Sequence, residues 1–493
     1  MKRFILLFAL LLVITVSSNS YANVYASGLK FSDDTVSVYE NADNTWDGNF
    51  TNGGVKIWFV INESGVGSLS GAVYIKNSTG VVRILQMAGL TKGVNSIVWD
   101  GFANDGSGAP VGNYWFEVFV QDPVGHTSFD SIWVAGAYYQ GNDFDGGTSY
   151  AYRGNASVLE QSSPFFGNIY VARGTTSANG IYELRGDGVY QRKLGTAPNW
   201  PSSTPNEIAA VGNRLYASAG YGFVGGGYLR SFDSETNTFL DSAMWGTIQV
   251  RGLFTKIVGN DTIFITTRSG AGLNPAVIKK VGMYGDTTTL INLRPYILGN
   301  GYTKQALLDD ANNVYVLFGE LSASRKKIAK FNANGDLVKL DSLDGVAFGG
   351  LTGAYFQSLA IDRGTDFLSA ADDKLYALVY GGSTASPNNG IYSIPLDISS
   401  VTKKITPVGV TSAATSQIIN VDPAGNVVWS NGASSERIVV FSPEAGPNSF
   451  TTVSPAGMHI VVTNPVPVEL ASFSASTNGN QVTLSWTTAT ETN

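Results

Sequence analysis

The chain has 493 residues, more than one ordinary hydrophobic core accommodates, so about two to four domains are expected. Charged residues make up 14% and aromatics 12%, with 57 glycines, which leaves little material for amphipathic helices and much for strands and turns. The net charge of −7 argues against a grip on nucleic acid or an anionic membrane, zero cysteines exclude disulfides and thiolate metal sites, and two histidines (His126 and His459) all but exclude histidine triads and zinc clusters.

Lys2 and Arg3 precede an unbroken apolar run over residues 4–16, followed by Ser17-Ser18-Asn19-Ser20. Ser20-Tyr21-Ala22 places small residues where a signal peptidase reads, with Val24-Tyr25-Ala26 as a second position. The run is shorter than the roughly 20 residues a spanning helix needs. Residues 1–22 are therefore expected to be a signal peptide, and the protein to be secreted or held at the cell surface. No other segment is apolar enough to span a membrane.

Residues 27–130 carry strands with period-2 patterning at 55–61, 69–75, 81–85, 93–101 and 115–120, and no helical pattern, which predicts a small β-sandwich. Asn95, Trp99-Asp100-Gly101, the Asp105-Gly106 turn and Pro110-x-Gly112-x-Tyr114 make this segment resemble the immunoglobulin-like domain named after the flagellar hook-capping protein, which recurs in secreted bacterial proteins. Trp99 is expected between the sheets. The Asp100 and Asp105 carboxylates are expected to shape turns, with calcium ligation as the alternative.

Residues 131–154 read as a linker or as a strand that closes the next domain. They include Asp143-x-Asp145-Gly146, an alternation of carboxylates at a glycine turn that could bind calcium. The later ligand positions and closing glutamate of a helix–loop–helix calcium site are missing, and a solvated turn is the other reading. Asp143 and Asp145 are the metal candidates of the chain.

Residues 155–463 repeat one unit six times: an apolar run, a Gly/Asn/Asp turn, a strand built on an aromatic, a loop and a second apolar strand. The aromatic strands begin Asn168-Ile-Tyr, Arg214-Leu-Tyr, Thr262-Ile-Phe, Asn313-Val-Tyr, Lys374-Leu-Tyr and Asn426-Val-Val-Trp. A period of roughly 45–60 residues with three or four short strands predicts propeller blades. The Asn/Asp-x-(Ile/Leu/Val)-Tyr-Val strands resemble, as a pattern, NHL- or YVTN-type propellers of secreted bacterial proteins. Six blades are expected, with room for a seventh between Tyr315 and Tyr376. Either residues 132–138 or residues 458–462 are expected to close the ring, so that no edge stays open.

In the tail, residues 464–493, Pro467-Val-Glu-Leu470, Phe473, Leu484-x-Trp486 and Thr488-Ala-Thr-Glu-Thr-Asn493 resemble the opening of a fibronectin-like module. That module precedes the sorting signal of Bacteroidetes and Chlorobi proteins exported by the type IX system. An incomplete module would leave Phe473, Leu484 and Trp486 without cover.

For function, Asp233, Asp309, Asp310, Asp362, Asp366, Asp372 and Asp373 all sit at turns or strand ends, where aspartate is expected for local hydrogen bonding. No catalytic residue is singled out. The leading expectation is an extracellular all-β modular protein for binding, adhesion or surface structure, without catalysis. Loop aromatics such as Tyr138, Tyr139, Trp200 and Tyr221 would meet a glycan or protein ligand. The alternative is a calcium-dependent propeller hydrolase or lyase, since some secreted propellers are lactonases or lyases that use calcium at the central channel, with Glu207, Asn260 and Asp309 as the kind of channel residues required. No cofactor other than calcium is expected, and no nucleic acid.

Overall fold

A computed structural model describes residues 23–32, 34–37, 54–135, 152–173, 180–194, 205–219, 228–236, 238–244, 250–258, 261–268, 277–281, 287–296, 302–319, 326–364, 369–406, 417–431, 437–463, 470–478 and 481–488. Apart from two 3-10 turns, every regular element among them is a β-strand.

The first unit is a two-layer sandwich. One sheet orders β1 (Ala26–Phe31), β3 (Val55–Ile61) and β6 (Gly93–Trp99); the other carries β2 (Thr35–Ser37), β4 (Leu69–Asn77), β5 (Gly80–Leu90) and β7 (Gly112–Asp122). Alternation decides what each face does. In β3, Ile57, Phe59 and Ile61 are buried, whereas Lys56 and Trp58 point to the outer face. Trp99 is fully buried, 5.3 Å from the Tyr114 ring of the opposite sheet, and its Nε1 donates to Phe102 O at 3.0 Å. Asp100 Oδ1 accepts from Phe102 N, and Asp105 Oδ1 accepts from Ser107 N and Oγ, so both carboxylates are engaged in turns.

After β7 come β8 (Asp130–Ala135) and the repeats. Five blades are consecutive four-stranded antiparallel sheets. Blade one is β9 (Tyr152–Ser157), β10 (Ile169–Arg173), β11 (Gly180–Leu184) and β12 (Tyr190–Leu194). Blade two is β13 (Pro205–Val211), β14 (Arg214–Ala219), β15 (Tyr228–Asp233) and β16 (Thr238–Met244). Blade three is β17 (Val250–Val258), β18 (Asp261–Arg268), β19 (Val277–Val281) and β20 (Thr287–Asn292). Blade four is β21 (Tyr302–Leu308), β22 (Val314–Gly319), β23 (Lys327–Phe331) and β24 (Leu337–Ser342). Blade five is β25 (Tyr355–Asp362), β26 (Lys374–Tyr380), β27 (Gly390–Ile394) and β28 (Thr402–Ile405). The sixth takes β29 (Gln417–Val421), β30 (Val427–Asn431) and β31 (Arg437–Ser442), with β8 as its outermost strand.

The innermost strands touch in a circle, β9 to β13, β17, β21, β25, β29 and back to β9. The ring is a six-bladed propeller. The stretch between Tyr315 and Tyr376 is filled by β23, β24, a 3-10 turn (Val346–Phe348) and β25, which belong to blades four and five.

Two strands beyond the ring go back to the sandwich. β32 (Asn448–Val453) pairs with β7, Phe450 opposite Val120, and β33 (Ile460–Thr463) runs antiparallel to β7 and parallel to β2. This corrects the sequence reading, which ran the propeller to residue 463 and offered residues 458–462 as a closing strand. Ile460 and Val462 are fully buried in the sandwich core, and β32 and β33 both pair with β7, which β4 also flanks. The propeller is thus inserted into the sandwich, between β7 and β32.

Burial on both faces explains why blade strands read as continuous apolar runs rather than alternating ones. In β22, Val314, Val316 and Phe318 pack towards blade three, while Tyr315 and Leu317 pack towards blade five. In β10, Tyr170 and Ala172 face blade two, and Ile169 and Val171 face blade six. The propeller core is therefore a set of seams between blades. The last strands, β34 (Leu470–Asn478) and β35 (Gln481–Thr488), pair only with each other among the described residues, and Phe473 and Leu484 are 59% and 51% exposed.

Candidate functional site

The six inner strands run the same way along the ring axis, so the turns that leave their C-terminal ends gather at one end of the propeller. The sandwich sits on that end, over blades one and six. Tyr25 of the sandwich is fully buried there, with its ring 6.0 Å from Phe166 and its hydroxyl donating to Gly167 O at 3.3 Å. A side chain at Gly167 (φ 82°) would collide with Tyr25, which is why the turn before Asn168 needs glycine. Buried amides complete the junction: Asn23 Nδ2 donates to Ser442 Oγ at 2.9 Å, and Asn426 Nδ2 and Asn62 Nδ2 both donate to Asn23 O.

Five of the aspartates singled out in the sequence, Asp309, Asp310, Asp362, Asp372 and Asp373, lie at this end in blades four and five, and Asp422 of blade six joins them. Asp309 and Asp422 perform the same job in two blades. Asp309 Oδ1 accepts from Asn313 N and Oδ2 from Asn313 Nδ2 and the Tyr315 hydroxyl; Asp422 Oδ1 accepts from Ala424 N and Asn426 N, and Oδ2 from Asn426 Nδ2. Asp310 accepts from Arg363 Nε at 2.5 Å and lies 3.5 Å from Lys256 Nζ, and Asp310 N donates to Asp373 Oδ2 at 2.8 Å. Burial raises the Asp310 and Glu160 carboxyls and holds Asp362 at about 6 and Asp373 and Asp422 at about 7. Glu207 lies buried on inner strand β13, and Asp233 caps its own turn by accepting from Glu235 N and Thr236 N. Among the described residues no group of three or more acidic or histidine side chains is arranged to hold a metal. Asp143, Asp145, Tyr138, Tyr139, Trp200, Tyr221, Asn260 and Asp366 fall outside the described residues.

An open site lies beside the junction. A cleft of about 620 Å³ separates the outer face of the three-stranded sheet from blade one. Its floor is Lys30, Trp58 and Val94; its walls are Pro164 and Phe165 of the β9–β10 loop, Glu183 of β11, Arg185 of the β11–β12 turn, and Gln191 and Arg192 of β12. Lys30 stands opposite Trp58 in register, and Lys56 Nζ lies 5.4 Å from the Trp58 ring centroid. The walls are pre-set by ion pairs: Arg192 Nε to Glu183 Oε2 and Arg185 Nη2 to Asp187 Oδ2, each at 2.6 Å. Glu183 is also held by Asn168 Nδ2 at 2.6 Å, so its pocket-side geometry is fixed from two directions. Such a surface offers an indole platform with fixed donors and acceptors around it.

Sequence reasoning placed ligand contacts on loops and missed this wall-and-floor arrangement. The signal in hand was Trp58, an outward position in a strand whose odd-numbered neighbours Ile57 and Phe59 are core.

No family model matches the chain, and no curated protein matches it. Among solved structures, it has a likeness to a protein of unknown function from Bacteroides thetaiotaomicron (11% identity, covering 87% of this chain and 100% of that one, TM-score 0.39). It also has a likeness to a gluconolactonase from Xanthomonas campestris (14% identity, 60% and 87% covered, TM-score 0.38) and to the β-propeller domain of Cps50 from Myceliophteria thermophila (9% identity, 60% and 97% covered, TM-score 0.36).

Proposed function

We propose that the protein is an exported, non-catalytic binding protein whose ligand is an extracellular glycan held in the cleft between the sandwich and blade one. The observation that carries this reading is Trp58, outward-facing on a rigid strand at the floor of a cleft whose polar walls are fixed by the Arg192–Glu183 and Arg185–Asp187 pairs. Sugar recognition combines an aromatic face for the C–H surface of a ring with oriented polar groups for its hydroxyls. A glycan array with the full chain, followed by titration of hits, tests it. Binding that Trp58→Ala reduces by about tenfold, roughly 1.4 kcal/mol, supports the reading. Binding unaffected by Trp58→Ala, or no saturable glycan at millimolar concentration, sinks it.

The export part of the proposal rests on the residues that follow the signal segment. Asn23 and Tyr25 are fully buried at the junction, so cleavage after Ala22 keeps the interface whole, whereas cleavage after Ala26 would remove it. N-terminal sequencing of exported protein is expected to begin at Asn23. The hook-capping-type immunoglobulin identity of the sandwich, and the reading of β34 and β35 as the start of a fibronectin-like module on a type IX route, belong to the same proposal and are supported by the residues that carry those resemblances. No helix among the described residues is long and apolar enough to cross a membrane.

A further inference from the structure

A second cavity, of about 220 Å³, lies where the sandwich strand β32 meets the inner turns of blades one, five and six. Leu159, Phe166, Val421 and Phe450 form apolar walls, and Asp362 and Asp422 face in among them. Asp422 spends its lone pairs on its own turn, as described above. Asp362 does not. It is 5% exposed and its Oδ1 accepts from Gly364 N at 3.0 Å, but no hydrogen bond or ion pair reaches its Oδ2 among the described residues.

A carboxylate that is largely buried and has a protein partner on only one of its oxygens is costly in its ionised form. The chain meets that cost by raising the carboxyl to about 6, burial being the first cause. The charged groups nearby do not remove the deficit. Arg363 lines the cavity but its guanidinium is held by Asp310, Lys374 acts on Asp362 only as a charge that lowers its value, and Asp372 opposes it. What remains is a negative, aromatic-walled recess below the roughly 300–1,000 Å³ of drug-sized ligand pockets.

We propose that this cavity binds a small organic ammonium ion, its head on Asp362 Oδ2 and its alkyl chain against Phe166, Val421 and Phe450. A primary ammonium supplies the donors that Asp362 Oδ2 lacks, and the aromatic rings favour a cation with an apolar body. The site is separate from the glycan cleft and does not depend on it.

Binding of a cation to a partly protonated carboxyl expels the proton, which gives a readout on the unaltered protein. Calorimetric titration of the full chain with n-pentylammonium, near the Asp362 value of about 6 and in two buffers of different ionisation enthalpy, measures it. The expected result is saturable binding with net proton release, weakened at least about tenfold in Asp362→Asn. 1-Pentanol and pentanoate are expected not to saturate. The proposal is overturned if pentylammonium does not bind, if it binds without proton release, if 1-pentanol binds as tightly (an apolar recess only), or if pentanoate is preferred (Arg363 dominating). Should Asp362→Asn not fold, proton release by the unaltered chain decides alone.

Discussion

The side-chain amide of Gln305 pairs with the backbone of Leu359 in both directions: Nε2 donates to Leu359 O at 2.9 Å, and Oε1 accepts from Leu359 N at 2.7 Å. Inner strands of neighbouring propeller blades do not form ladders, so a buried amide stands in for one across the seam between blades four and five. Ser358 extends the link, donating to Gln305 Oε1 and accepting from Ile419 N of blade six, and Asn155 carries it on to blade one through Ile418 O and Ser430 Oγ. Gln305→Ala leaves the buried Leu359 N–H unpaired and its C=O with only a 3.4 Å contact from Ser358 Oγ. Urea unfolding is expected to show a loss of about 1–3 kcal/mol. A loss within experimental error would mean that apolar packing alone holds that seam.

The pH dependence of stability has a definite sign at Asp362. Its folded value, about 6, lies above that of an unfolded aspartate, so the folded state binds the proton more tightly. Its contribution to stability is complete below the unfolded value and is lost as pH rises through about 6. Asp362→Asn removes the titration. Unaltered and variant proteins are expected to differ little in acid, with the variant gaining about 1–3 kcal/mol relative to the unaltered chain by neutral pH and above. Parallel pH curves for the two proteins would refute the assignment.

Gly425 tests the packing of that same carboxylate. Its φ is 76°, and a Cβ there would collide with Asp362 Oδ2. Gly425→Ala is expected to cost about 1–3 kcal/mol from the backbone conformation alone, and more from displacing Asp362. A melting temperature equal to that of the unaltered chain would contradict the placement of the two residues.

Truncation separates the roles of the last four strands. Removing residues 464–493 deletes a hairpin that pairs only with itself among the described residues, and is expected to change stability by less than about 0.5 kcal/mol. Removing residues 444–493 also deletes β32 and β33, which strips β7 of two partners and takes Ile460 and Val462 out of the core. The sandwich is then expected to lose its cooperative melting transition, readable through the environment of buried Trp99. A sandwich that melts unchanged without β32 and β33 would show them to be accessory.

The blades were legible in the sequence because each is bounded by local chemistry: a turn residue, then a run buried on both faces, as at Asn313 to Phe318. The return of β32 and β33 was not, because pairing with β7 depends on partners hundreds of positions away and leaves no periodic trace near residue 450. The site divides similarly. Asp309 sits at a turn where local hydrogen bonding accounts for it, whereas the cleft needs Trp58 from one unit and Arg192 from another, and only the folded chain sets them face to face.

Insertion gives the chain an order of assembly. Thr452 Oγ1 donates to Ala26 O across a separation of 426 positions, so the sandwich cannot finish until nearly the whole chain has emerged. The ring, however, brings its own ends together, since Ser442 stands opposite Asp130 in the sixth blade. Before the ring closes, β7 waits with an unfilled edge, the kind of surface that seeds aggregation in slow, non-local folders. Once it closes, β32 is delivered next to β7. A completed sandwich therefore reports that the two ends of the propeller have met.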